Sequence, residues 1–347
     1  MSGQDLQVLP SEWAPQSGVM LTWPHSHSDW QPWLAQVEPV YVEIAGQILK
    51  REKLLIVCYD DQHMDHILEL LRHGEANTSQ LKCYVVPSND TWSRDHGPIT
   101  VIREGLPRLL DFTFNGWGGK YAAELDDQIT SNMHRAGAFG TTPIEKIDMV
   151  LEGGSIEVNG AGSLLTTSRC LLSTKRNPNM GRSQIESELS RLFGVGNFLW
   201  LENGYLAGDD TDSHIDNLAR FCAYNTIAYS ITDDTRDEHF TCLKAMEQEL
   251  KNFRNESGQP FQLIPLPLPQ AKFDGNGKRL PASYANFLIV NDAVLVPTYN
   301  DPADEHALTQ LRHCFPEREV IGINCLPLVY QYGSLHCISM QLPAGVF

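Results

Sequence analysis

The sequence predicts one mixed α/β domain spanning residues 1–347. Three observations carry this. Short apolar runs, β-branched or aromatic and bounded by Gly, Asn, Pro or Asp, recur along the whole chain. Helical patterns fall between them, in a rhythm of two or three strands and then one helix. No Pro/Ser-rich linker divides the chain, and 42% hydrophobic content supports a sizeable core.

In chain order, GVMLTW is the first clear strand signal. WLAQVEPVYVEIAGQILKR is helical, with Pro39 expected to kink it. KLLIVCY reads as a strand, DQHMDHILELLRHG as a helix closed by Gly74, and LKCYVVP, PITVI and RLLDFTF as strands. IDMVLE, SIEVN and SLLTT continue the β signal. SQIESELSRLFG predicts a helix capped at Ser183, with Glu186 three residues on, and ended at Gly194. NFLWL and FCAYNTIAYSI are strands, DEHFTCLKAMEQELKNF a helix, and FQLIPLP a strand whose exit reads PLPLPQ. FDGNGKRLPAS is an exposed loop. NFLIVN, AVLVPTY, the helix ADEHALTQLRHCF, REVIGIN and the strand LHCISMQL complete the series.

Composition excludes several functions. A net charge of −17 opposes binding to nucleic acid or anionic membrane and suits a cationic small molecule. No stretch is apolar for the ~20 residues a membrane helix needs. MSGQDLQVLPSEW has neither the basic start nor the apolar core of a secretory signal, so a cytoplasmic location is expected. The 8 cysteines include no C-x-x-C pair, and free thiols are expected rather than disulfides.

Four segments at strand ends are unusually polar. NDTWSRDHGPI holds Trp92, Arg94 and Asp95 before a Gly-Pro turn. In LEGGS, Glu152 ends an apolar strand, and two glycines permit positive φ or close backbone approach. GDDTDSHIDN sets four aspartates around His214. If extended, it points Asp210, Asp212, His214 and Asp216 the same way. Counted from Asp210, an EF-hand needs Gly at its sixth position and Glu at its twelfth. These are Ile215 and Phe221, so calcium is rejected, while spacing alone leaves a transition metal open. YGSLHCISMQL places Cys337 after His336, and on a strand these neighbours face opposite sides. If Cys337 is a nucleophile, His214 is the best candidate for its base. Each segment alone also reads as an ordinary turn, and Cys337 alone as a buried small side chain. NGWGGKY and DGNGKRL lack P-loop spacing, and PHSHSDW has no third metal ligand nearby.

Together the segments supply a thiol, a histidine, several carboxylates and a tryptophan. A Cys–His pair attacks an electrophilic carbon, and paired carboxylates suit a planar cation with forked N–H donors, a guanidinium.

On these four motifs the chain resembles the agmatine deiminase family, also called the Porphyromonas-type peptidyl-arginine deiminase family, of the guanidine-modifying (pentein) superfamily. The resemblance runs from LTWPHSHSDW to LHCISMQLP. It implies a five-bladed α/β propeller of pseudo-fivefold ββαβ repeats with the active site on the axis. It implies hydrolysis of a guanidine to a urea and ammonia, without metal or organic cofactor. Cys337 matches the nucleophile and His214 the general acid/base. Asp95 and Asp216 match the guanidinium-gripping carboxylates, Glu152 the acid that hydrogen-bonds the histidine, and Trp92 the tunnel wall. Asp210 matches an acidic residue facing the substrate's far amine, and Asp209 and Asp212 are left to shape the loop. The implied reaction converts agmatine to N-carbamoylputrescine in polyamine synthesis. The sequence departs from the family at YGSLHC (for GGGNIHC), at Ser213 (for Gly) and at WPHSHSDW (for WPERPDNW), all around the substrate tail. Peptidyl arginine or free arginine therefore stays an alternative substrate. A non-catalytic binding protein and a metal-dependent hydrolase are rivals of other classes. The oligomeric state is left open, a homo-oligomer included.

Overall fold

A computed structural model describes residues 7–347. The opening MSGQDL of the N-terminal stretch read above lies outside the described residues.

Five sheets repeat one pattern: an antiparallel pair, then a helical crossover to a strand parallel to the second. In one, Ser339–Pro343 pairs antiparallel with Gln16–Thr22, and helix Leu34–Leu49 leads to the parallel strand Lys53–Cys58. Helix Asp61–His73 adds a further parallel strand, Leu81–Val85. The next sheet pairs Ile99–Arg103 with Leu106–Thr113 and crosses through Ile129–Arg135 to Ile144–Val150. Ile156–Val158, Ser163–Thr167, helix Arg182–Phe193 and Asn197–Leu201 form the third. Ala219–Ala223, Thr226–Ile231, helix Phe240–Asn252 and Gln262–Pro267 form the fourth. Leu288–Val290, Ala293–Thr298, helix Asp304–Cys314 and Glu319–Asn324 form the fifth. The expected rhythm of strands and helices is thus observed as a mixed α/β fold.

Parallel strands need a crossover long enough to return the chain, and a helix with one apolar face supplies it. Leu34–Leu49 buries Val37, Val40, Tyr41, Ile44, Ala45 and Ile48 along that face. Each such aliphatic side chain contributes about 1.5–3 kcal/mol on full burial. The helix runs through Pro39 without ending. The missing N–H removes one intrahelical bond, and the buried face compensates. Among the described residues, no helix is long and apolar enough to cross a membrane. All 8 cysteines are free thiols.

Several expectations need correction. FCAYNTIAYSI splits into two antiparallel strands, because Tyr224 and Asn225 turn the chain between them. FDGNGKRLPAS is a short hairpin, with Lys272–Phe273 pairing Arg279–Leu280. The helix expected to start at Ser183 starts at Arg182, and Gln184 Oε1 accepts the Gly181 N–H at 2.8 Å. Glu186 instead accepts from Trp200 Nε1. Gly194 ends that helix at φ 69° as expected. LHCISMQL is a strand only from Ser339, and Cys337 lies in the preceding turn.

That last correction shows how the fold builds a site. The turn before the first strand of a sheet carries a polar group in every case. Asp95 precedes Ile99, Glu152 precedes Ile156, His214 and Asp216 precede Ala219, Asn286 precedes Leu288, and Cys337 precedes Ser339.

Candidate active site

Asp95 sits in the one-turn helix Ser93–His96 and is 5% exposed. Its Oδ2 accepts from Trp117 Nε1 at 2.9 Å and its Oδ1 from the Gly154 N–H at 3.0 Å. Trp117 comes from NGWGGKY, where Trp117 and the glycines around it take positive φ and turn the indole inward. That motif thus fixes a carboxylate.

Gly154 lies where the groups converge. A Cβ there would stand 2.6 Å from His214 Nδ1, 2.9 Å from Asp95 Oδ1 and 3.1 Å from Asp216 Oδ2. Of the two uses expected for the LEGGS glycines, the structure employs close approach and not positive φ.

His214 is buried between carboxylates. Its Nδ1 is 3.6 Å from Asp95 Oδ1 and its Nε2 is 3.7 Å from Glu152 Oε2. The second distance is that of an ion pair, longer than an ordinary hydrogen bond, and it sets Glu152 opposite His214 Nε2. Glu152 is gripped by Arg176 Nε at 2.7–2.9 Å. Burial would lower the His214 pKa, but Asp95, Cys170 and Glu152 hold it well above its ordinary value. These neighbours favour the charged imidazolium. Asp95 shows the opposite balance: burial pushes it up to about 6, against the pull of His214.

Cys337 Sγ lies 3.6 Å from Asp216 Oδ2 and 3.1 Å from Asn286 Nδ2. Burial, Asp216 and Asp95 raise the thiol well above its usual range. These surroundings favour the thiol form, and a cation between the aspartates is what favours thiolate.

The acidic loop is not extended. Asp212 and Ser213 adopt φ of 68° and 67°, a region that favours Gly, and this breaks the alternation. Asp210, Asp212, His214 and Asp216 therefore do not share one face. Asp212 turns to Arg176 and Lys120, at 2.8 and 2.9 Å. Asp209 caps the loop through Thr211 and the Ser213 N–H. Asp210 accepts from Tyr121 Oη at 2.6 Å.

A cleft of about 470 Å³ reaches Cys337 and is lined by Trp92, Asp95, Trp117, Asn217, Asp210, Asp90, Asp29 and Tyr332 among others. Trp92 packs on Trp30 and on Gly333, where a Cβ would come within 2.0 Å of the indole. A second cavity of about 620 Å³ touches Glu12, Arg94 and Glu157 but none of Cys337, His214 or Asp216. The chemistry goes with the first. Among the described residues, Glu152–Cys170–His214 and Glu12–Glu157–His336 bring three metal-capable atoms together. Arg176 occupies Glu152 in one and Arg220 occupies Glu157 in the other.

The structure thus brings Cys337, His214, Asp95, Asp216 and Glu152 together and sets Trp92 and Asp210 along the approach. Sequence reasoning missed Trp117, Asn286 and Arg176. Only Trp117 carried a signal, a tryptophan inside a glycine cluster.

Residues 8–343 match the family described as Porphyromonas-type peptidyl-arginine deiminase. The agmatine deiminase of Stutzerimonas stutzeri is 32% identical, covering 98% of this chain and 96% of that one. A substrate-bound cysteine-to-serine variant of agmatine deiminase from C. jejuni superposes with TM-score 0.90 at 36% identity, over 99% and 97% of the chains. A Porphyromonas gingivalis protein, proposed to be an arginine deiminase, superposes with TM-score 0.90 at 48% identity, over 98% and 99%.

Proposed function

Because this chain belongs to the Porphyromonas-type peptidyl-arginine deiminase family, we propose that it hydrolyses agmatine to N-carbamoylputrescine and ammonia. The observation that carries this is the cleft itself. Asp29, Asp90, Asp95 and Asp210 line it and, among the described residues, no Arg or Lys does, so it suits a dication. The five repeated sheets are read as the blades of a five-bladed α/β propeller, with residues 1–347 as one catalytic domain in the cytoplasm.

Asp95 and Asp216 clamp the guanidinium, with Trp92 and Trp117 as walls. The incoming cation draws the Cys337 thiol to thiolate, and its proton leaves through the cleft. Sγ attacks the guanidine carbon. Protonated His214 gives its proton to one amino group, the C–N bond breaks, ammonia leaves, and an S-alkylthiouronium cation remains on Cys337. Neutral His214 takes a proton from water as the oxygen adds to that carbon. Collapse of this adduct breaks the C–S bond, and as the hydroxyl proton passes to the departing sulfur the urea is released and the Cys337 thiol is restored. Glu152, anchored by Arg176, keeps the imidazolium charged.

One observation favours a second reading, arginine as substrate. Lys278 Nζ stands 3.9 Å over the Tyr332 ring at the cleft edge, where a carboxylate could be met. A ureido assay with agmatine, free arginine and a blocked peptidyl arginine, each with and without chelator, separates the readings. Agmatine turnover insensitive to chelator is expected. Turnover of an arginine substrate alone would overturn the agmatine assignment.

A further inference from the structure

Behind Asp216 lies a buried chain of polar contacts that the reaction above does not use. His336 is fully buried, its Nδ1 2.9 Å from Asp216 Oδ2 and its Nε2 2.8 Å from Glu12 Oε1. Glu12 is saturated: Arg220 donates to its Oε2 at 2.6 Å, Gln341 at 2.9 Å, and Arg94 approaches Oε1 at 3.5 Å. Burial would raise the Glu12 carboxyl, but Arg220, His336 and Arg94 hold it well below the usual range.

An ionised carboxylate only accepts hydrogen bonds. Glu12 therefore requires a hydrogen on His336 Nε2. A neutral ring then has a lone pair at Nδ1, facing an oxygen at 2.9 Å, and two acceptors do not sit at that distance without a proton between them. Burial, Arg220 and Arg94 push His336 toward the neutral ring. The proton on the Nδ1–Oδ2 line thus belongs to the His336–Asp216 pair. We propose that Glu12 and His336 form a fixed relay that orients the Asp216 carboxylate toward the guanidinium, making His336 a positioning residue for substrate binding. The proposal rests on the deiminase reading for the identity of the cation. It also gives the residue before Cys337 a task of its own, holding Asp216 rather than activating the thiol.

Two near-isosteres separate this role from simple packing. His336→Asn keeps a donor where Nδ1 stands and loses the reach to Glu12. His336→Gln reaches Glu12 and abandons Asp216. Agmatine protection of Cys337 against iodoacetamide, with agmatine kept in large excess over what is consumed, reads occupancy of the site. His336→Gln should need about tenfold more agmatine for half-protection, and His336→Asn no more than about threefold; misplacing a group by ~1 Å can cost up to about 10²-fold. The KM values should separate in the same way. Equal behaviour of the two variants, whether like wild type or equally impaired, would overturn the relay. A measurement without substitution at 336 stands beside this. The ¹⁵N-histidine spectrum of agmatine-saturated Cys337→Ala protein should show a hydrogen on His336 Nε2, and an unprotonated Nε2 overturns the proposal. A wild type that Cys337 alkylation shows to be protected by agmatine, but that releases no urea product, would sink the deiminase reading and leave the relay standing.

Discussion

The two ends of the cleft are built differently. At the inner end Asp95, Asp216, His214 and Glu152 are at most 5% exposed, and each is tied to a partner from another part of the chain. At the outer end Asp210 meets Tyr121, itself 43% exposed, and Lys120 pairs with Asp212 near the surface. The inner end trades stability for fixed charge, since burying like carboxylates is costly without the cation they await. The outer end keeps its charges near water, where each is worth less and is easier to change. Reaction type should therefore be set at the inner end and substrate choice at the outer one.

The largest expected effect comes from crowding the inner end. Gly154 has negative φ, so alanine fits its backbone, yet its Cβ would press on His214, Asp95 and Asp216 together. Gly154→Ala should lower kcat/KM by about 10²-fold or more and cost about 1–3 kcal/mol of stability through overpacking, leaving a folded protein. Retained activity would mean that the inner end is looser than its geometry states.

A second test titrates the same end. Asp95 must be ionised to hold a guanidinium, and burial sets its pKa at about 6. The acid form dominates below that value. The rate constant kcat/KM should therefore rise with pH as the raised Cys337 thiol ionises, and below pH ~6 it should steepen by about a further tenfold per unit as Asp95 takes up its proton. His214, raised well above its ordinary value, stays protonated across this window and adds no limb there. A limb near the ordinary aspartate pKa would show that the site is wetter than described.

The same contrast explains what could be read from the sequence. The α/β rhythm was legible because each crossover helix carries its own apolar stripe. Cys337, His214, Asp95 and Asp216 were legible because a thiol, an imidazole and paired carboxylates have few joint uses. Their partners were not. Asn286 lies 51 residues before Cys337, and Glu12 lies 324 before His336. Such contacts depend on how the sheets are brought together, which local pattern does not encode. The loop conformation at Asp212 and Ser213 was hidden for another reason, since neither is a glycine although both take positive φ.

The smallest expected effect belongs to the outer end. Asp210 Oδ2 accepts from Tyr121, and burial raises its carboxyl while Tyr121 lowers it. A partly exposed carboxylate facing an ammonium is worth about 1 kcal/mol, roughly fivefold in affinity. Asp210→Asn should accordingly raise the agmatine KM about three- to tenfold and leave kcat nearly unchanged, because the far amine is bound alike in ground and transition states. Steady-state kinetics on agmatine and on a guanidine with an uncharged tail give the check. The uncharged compound should lose nothing in the variant. If both substrates lose equally, Asp210 shapes the loop and does not read the tail, and discrimination would have to lie with Asp29, Asp90 or Lys278 instead.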